Sequence, residues 1–134
     1  MPLKFATRHL KIDGEKAIEQ FGARVQPDIV VADYDNEMVY IIEIKNLKCN
    51  KGKAIMKQAV YENFKQLRNY CLANKKMEVD GIASNFGVWH LTRYRKEDEL
   101  LGRNAFQVTE EFQVMDNNEE HFDEKELRRL VFSL

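Results

Sequence analysis

The chain holds only two cysteines, Cys49 and Cys71. Neither belongs to a C-x-x-C or Cys/His ligand pattern, which fits a reduced, intracellular compartment. No apolar run approaches the length that spans a membrane, and Met1 to Gly14 is too polar for a signal peptide. A soluble intracellular domain with no membrane partner is expected. A surplus of one charge is missing as well. Lys and Arg number 21 against 22 Asp and Glu, a formal net charge of −1, which counts against a strong general nucleic-acid binder. Internal repeats and low-complexity segments are absent. At 134 residues the chain makes a single domain, 1–134, with one modest core and nothing left for a separate target-recognition domain.

Against that plain background one gathering of charge stands out. Two apolar runs, Ile29-Val30-Val31-Ala32 and Met38 to Ile42, flank a polar turn at Tyr34-Asp35-Asn36-Glu37 and read as a β-hairpin. With Asp35 and Asn36 as central turn residues, Tyr34 pairs with Glu37, and the same register sets Asp28 opposite Glu43. Directly paired residues have Cβ atoms roughly 5 Å apart. Lys45, two residues beyond Glu43, falls on the same face of its strand. Like charges that close in an apolar setting raise each other's pKa and resist joint ionisation. A divalent cation reverses the problem. Mg²⁺ takes hard oxygen ligands, commonly one or two carboxylates, and keeps waters and substrate phosphate in its other positions. An ammonium beside it can orient the attacking water, which completes the parts for metal-assisted phosphodiester hydrolysis. The plainer alternative is a hairpin whose Asp28 caps a strand while Glu43 and Lys45 sit at an exposed edge; a lone E-x-K triplet is usually that.

The rest of the chain reads as a compact α/β plan. A short helix is expected near Asp13 to Phe21, with Asp13 as N-cap and Ala17, Ile18 and Phe21 on one stripe. Glu15 and Glu19 lie on its flank, Glu15 nearer the stripe. Lys45, Lys48, Lys51, Lys53 and Lys57 follow with no acid until Glu62, and Gly52 lets this stretch approach a phosphate backbone closely; the alternative is a solvated loop. Ala54 to about Leu72, free of Gly and Pro, reads as the principal helix, with Met56, Val60, Phe64, Leu67 and Cys71 facing the core. Gln66 and Tyr70 are one turn apart at the flank of that stripe. Strands are expected from Gly81 to Tyr94, broken at Gly81 and Gly87, with Trp89 in the core. His90 is either a proton carrier or a structural residue. Arg93, Arg95 and Lys96 are weaker nucleic-acid candidates, diluted by Glu97, Asp98 and Glu99. Phe106, Val108, Phe112 and Val114 suggest more extended structure. From Asp123 an amphipathic helix runs through Leu127, Leu130, Val131 and Leu134, to pack on the sheet or on a second copy, with its acidic lead-in turned away from DNA.

Pro27-Asp28 followed by Glu43-Ile44-Lys45, each acid on an apolar strand, resembles the PD-(D/E)XK nuclease superfamily. Gln66-Leu67-Arg68-Asn69-Tyr70 is similar to the Q-h-x-x-Y helix motif of its exonuclease-like branch. Gly81 to Leu91 is similar to the strand pair that follows, as in the nuclease-like regions of Crinkler effectors. The likeness covers roughly residues 12 to 94. It implies a restriction-endonuclease-like α/β core, a mixed β-sheet flanked by helices in αβββαβ order. It implies Asp28, Glu43 and the Ile44 carbonyl as ligands of Mg²⁺ or Mn²⁺, with Lys45 positioning the water. It also implies an acid on the first helix joining the metal, Glu15 first and Glu19 in reserve. Gln66, Tyr70 and Lys48, Lys51, Lys53 and Lys57 would steady the nucleic acid. The expectation is a metal-dependent nuclease, an endonuclease acting on DNA, which as a homodimer would cut both strands. Two other classes stand beside it: a non-catalytic module binding nucleic acid or protein on the same fold, and an assembly subunit joined through its C-terminal helix.

Overall fold

Alternating apolar residues and one long helix decide the architecture. The computed structural model describes residues 10–13, 28–33, 38–45, 52–115 and 122–134. Its strands are β1 (Leu10–Asp13), β2 (Ile29–Asp33), β3 (Met38–Ile44), β4 (Glu78–Ser84), β5 (Val88–Arg95) and β6 (Phe106–Gln113); its helices are α1 (Gly52–Asn74), α2 (Lys96–Leu100) and α3 (Glu124–Ser133). The strands form one sheet in the order β1-β2-β3-β4-β5-β6. Every neighbouring pair is antiparallel except β3 and β4, which run parallel. A parallel pair needs a crossover, and the segment between β3 and β4 contains α1.

Period-two alternation sends successive side chains to opposite faces of the sheet, and each face has its own apolar cluster. Val30, Ile41, Val79 and Tyr94 meet Leu67, Tyr70 and Cys71 of α1 on one side. On the other, Val31, Tyr40, Ile82, Leu91 and Phe112 meet Leu130 of α3, with Leu127 and Leu134 packed against them. A mixed sheet with helices on both faces is the α/β class expected. Among the described residues no helix is long and apolar enough to cross a membrane.

The hairpin register is the feature on which the site depends. Ile29 pairs with Ile42, Val30 with Ile41 and Val31 with Tyr40, which sets Asp28 beside Glu43 in the expected register. Towards the turn the register shifts, so that Ala32 pairs with Met38. A bulge takes up one residue there, away from the charged end. Residues 34–37, the expected turn, lie outside the described residues.

Several expectations need correction. Asp13, expected as the N-cap of a first helix, is the last residue of β1 and pairs with Val30, a strand that the sequence pattern does not show. Four residues are too few to carry a legible alternation. The remainder of that expected helix, Glu15 and Glu19 included, lies outside the described residues. Gly81 does not break a strand; it lies inside β4, which begins at Glu78. The break after β4 comes from Asn85, whose Oδ1 accepts from the N–H groups of Gly87 (2.9 Å) and Val88 (2.7 Å), with Phe86 at φ +72°. Val131 is exposed while Leu130 is buried, so the apolar stripe of α3 is narrower than read. Helix α2 was not anticipated, because its Glu97, Asp98 and Glu99 read as solvated charge.

A carboxylate and lysine site at the sheet end

Glu43 sits on β3 facing α1 and is only 4% exposed. Its two oxygens are taken up differently. Oε1 accepts from Gln66 Nε2 at 2.8 Å, and Oε2 lies 3.1 Å from Lys45 Nζ. Lys45 also reaches Glu62 Oε2 at 2.6 Å, and Glu62 Oε1 accepts from Gln58 at 3.3 Å. The ammonium therefore bridges two carboxylates, one from the strand and one from the helix. Asp28 is exposed at the start of β2, where its Oδ2 accepts from the Ile44 N–H at 2.8 Å. The motif's central residue thus holds one acid through its backbone, while the residues before and after it supply the other acid and the base.

Burial pushes the Glu43 carboxyl above its ordinary range. Gln66 and Lys45 pull it down, while Glu62 and Asp28 add to the rise. Burial acts on Lys45 in the opposite direction, lowering it, but its bonds to Glu62 and Glu43 outweigh that and leave its pKa raised. Glu62 is also disfavoured as an anion by burial, yet its bonds to Lys45, Glu43 and Gln58 hold it below the usual carboxylate range. The lysine is thus firmly cationic. Of the two glutamates, Glu43 keeps a proton the longer as pH rises.

Behind these residues stands a neutral hydrogen-bonded knot. Asn63, fully buried on α1, donates from Nδ2 to the Ile41 carbonyl at 2.9 Å and to Gln66 Oε1 at 3.4 Å. Its Oδ1 accepts from the Thr92 hydroxyl. Because Asn63 occupies the oxygen side of the Gln66 amide, the NH₂ side points at Glu43. Gly81 makes room for this: a Cβ there would lie 2.6 Å from Asn63 Oδ1, 2.7 Å from Thr92 Oγ1 and 2.8 Å from the Ile41 oxygen.

The structure thus brings together Asp28, Glu43, Ile44, Lys45 and Gln66. Tyr70, also expected there, is 3% exposed within the apolar cluster under α1. Lys57 is exposed on α1. Lys53 falls in the first turn of α1, its side chain outside the described residues, as are Lys48 and Lys51 altogether. Arg93 and Arg95 alternate with Thr92 and Tyr94 and so point to the α3 face. There Arg93 pairs with Asp80 at 2.7 Å and Arg95 with Glu78 at 3.6 Å, on the far side of the sheet from Glu43. Glu62 and Asn63 join the site without having been expected there. The signal available was the run Gln58, Glu62, Gln66, three polar residues at four-residue steps along one helix edge.

The donor set suits a hard cation. Asp28 and Glu43 offer carboxylate oxygens of the kind Mg²⁺ or Mn²⁺ takes in ones and twos. Among the described residues there is no group of three or more His, Cys, Asp or Glu poised to hold a metal ion. No family model, curated protein or solved structure matches the chain.

Proposed function

We propose that this chain is a Mg²⁺- or Mn²⁺-dependent nuclease of the PD-(D/E)XK kind, built on a restriction-endonuclease-like core. Its substrate is nucleic acid, DNA before RNA, and the reaction is phosphodiester hydrolysis within the strand. One observation carries the reading: Glu43 and Lys45 touch at 3.1 Å on the strand whose register sets Asp28 beside Glu43. Two carboxylates and an ammonium on one face are the parts that metal-assisted hydrolysis requires. The reading extends to an intracellular setting, from the cysteine pattern, and to a symmetric dimer for cutting both strands of a duplex.

In this scheme Asp28 and Glu43 would hold the cation, with the Ile44 carbonyl as a further ligand. The chemistry supplied by such a cation would be polarisation of the scissile phosphate and a lowered pKa for the attacking water. Gln66 fixes the orientation of the Glu43 carboxylate. Lys45, kept charged by Glu62, orients the water and offsets the negative charge that grows on the phosphate. Lys57 offers a backbone contact from the exposed side of α1.

The test is supercoiled plasmid in Mn²⁺. Wild-type protein should nick it, and both EDTA and Glu43→Gln should abolish nicking while circular dichroism stays unchanged. Plasmid binding without cutting by the folded wild type would replace the enzyme with a non-catalytic binding module. Lys45→Ala should slow cleavage by roughly a hundredfold or more and leave Mn²⁺ affinity, read by calorimetry, intact. A loss of metal affinity in that variant would contradict the division of roles.

A further inference from the structure

The row that begins with Asp28 and Glu43 continues across the sheet. Glu43 pairs with Ala83, Ala83 with His90 and His90 with Glu111, all on the α1 face. Two strand spacings, about 10 Å, separate Glu43 from His90, and the residue between them is only an alanine. Over the far end of the row, between the first half of α1 and strands β5 and β6, lies a cavity of about 680 Å³. Its walls include Val60, Tyr61, Phe64 and Val108, with His90 also lining it. A cleft of this size, mostly apolar with a few placed polar groups, has the character of a small-ligand site.

Three details narrow the ligand. His90 Nδ1 is buried and has no hydrogen-bond partner among the described residues, which is uncommon in a folded protein; Nε2 faces Glu111 at 3.7 Å. Burial holds the imidazole below its ordinary pKa despite the pull of Glu111, so at neutral pH it is an uncharged hydrogen-bonding group. Tyr61 is 63% exposed at the cavity, with Lys65 over its ring at 5.0 Å. Lys57, exposed, also lines the cavity and matches a phosphate in charge. An exposed aromatic ring, an uncharged imidazole in the wall and a cation beside them suit a planar heterocycle joined to a phosphate.

We propose that this cavity receives an unpaired nucleobase next to the phosphate held at Glu43 and Lys45, stacked on Tyr61 with His90 in the wall. The proposal rests on the nuclease reading and gives it a substrate class, single-stranded or locally opened polynucleotide. A base inside an intact duplex is paired and stacked and cannot enter without being extruded.

The probe is a short single-stranded DNA carrying 2-aminopurine, bound in EDTA so that no cleavage intervenes. Wild-type protein should quench its fluorescence and bind it about tenfold or more tightly than the same oligonucleotide with an abasic position there. Val108→Arg, which fills the cavity from a partly exposed position, should remove both effects, and Tyr61→Ala should weaken them. Equal affinity for the two oligonucleotides, or unchanged quenching in both folded variants, would overturn the proposal. Failure of the nuclease reading looks different. Quenching that Val108→Arg removes, with no plasmid cut in Mn²⁺, keeps the base site and discards the enzyme. Plasmid cutting with no preference for the base keeps the enzyme and discards the base site.

Discussion

At position 81 a single hydrogen stands between order and collision. An alanine methyl would press at once on Asn63, on Thr92 and on the Ile41 carbonyl. Two of these are hydrogen-bonded to each other, and the third is backbone. None can withdraw without undoing a bond that aims Gln66. Gly81→Ala should therefore destabilise the fold by about 1–3 kcal/mol, as overpacking does, and, on the proposed function, lower cleavage in protein that remains folded. Urea melts and plasmid nicking at matched folded fraction measure the two effects; an alanine variant of undiminished stability would show that the knot can rearrange. Asp28, Glu43 and Lys45 were legible in the sequence because strand alternation is a short, strict period. Asn63 was not. It falls on the helix's buried face, where periodicity predicts an apolar residue, and only the opposing Thr92 and Ile41 explain an amide there.

Helix α2 shows how charge that looks superfluous in a sequence joins elements together. Its Glu99 accepts from Arg68 of α1 at 2.7 Å and from the Tyr94 hydroxyl of β5 at 2.9 Å. Arg68 foremost, then Tyr94, holds the Glu99 carboxyl below the usual range, while burial and Glu99 push the Tyr94 hydroxyl up to about 12. A depressed carboxylate pKa means that the folded state binds fewer protons than the unfolded one. Its contribution to stability is complete above the unfolded value, 4.5, and is lost as pH falls through the lower folded value. Glu99→Ala should be less stable than wild type at pH 7, and the gap should close below pH 4.5, as urea melts at a series of pH values will read. A gap independent of pH would assign the loss to packing instead. The principal helix was legible from its lack of breakers, although its buried line runs through Ala59, Asn63 and Gln66, and half-buried Val60 and Phe64 line the cavity. Strand β1 was not legible, since a four-residue edge strand takes its identity from the neighbour it pairs with.

On the scale of the molecule, the near-zero net charge conceals a division between the two faces. The α1 face holds the buried acid, its lysine and the cavity, and the α3 face binds its arginines to Asp80 and Glu78. Composition alone cannot register such a division, because it averages over both sides of the sheet.

The parallel pairing of β3 with β4 is four residues long, Ile41 with Gly81 through Ile44 with Ser84. It joins two antiparallel meanders. One carries Asp28, Glu43 and Lys45; the other carries His90 and, beyond it, Glu111. On the proposed function this seam is a ruler. A slip of one residue would turn the side chains of a meander to the wrong face, and a slip of two would move the grip relative to the chemistry by about 6.6 Å, roughly two nucleotides of stacked strand. Four ladder pairs would then set which phosphate beside a held base is cut.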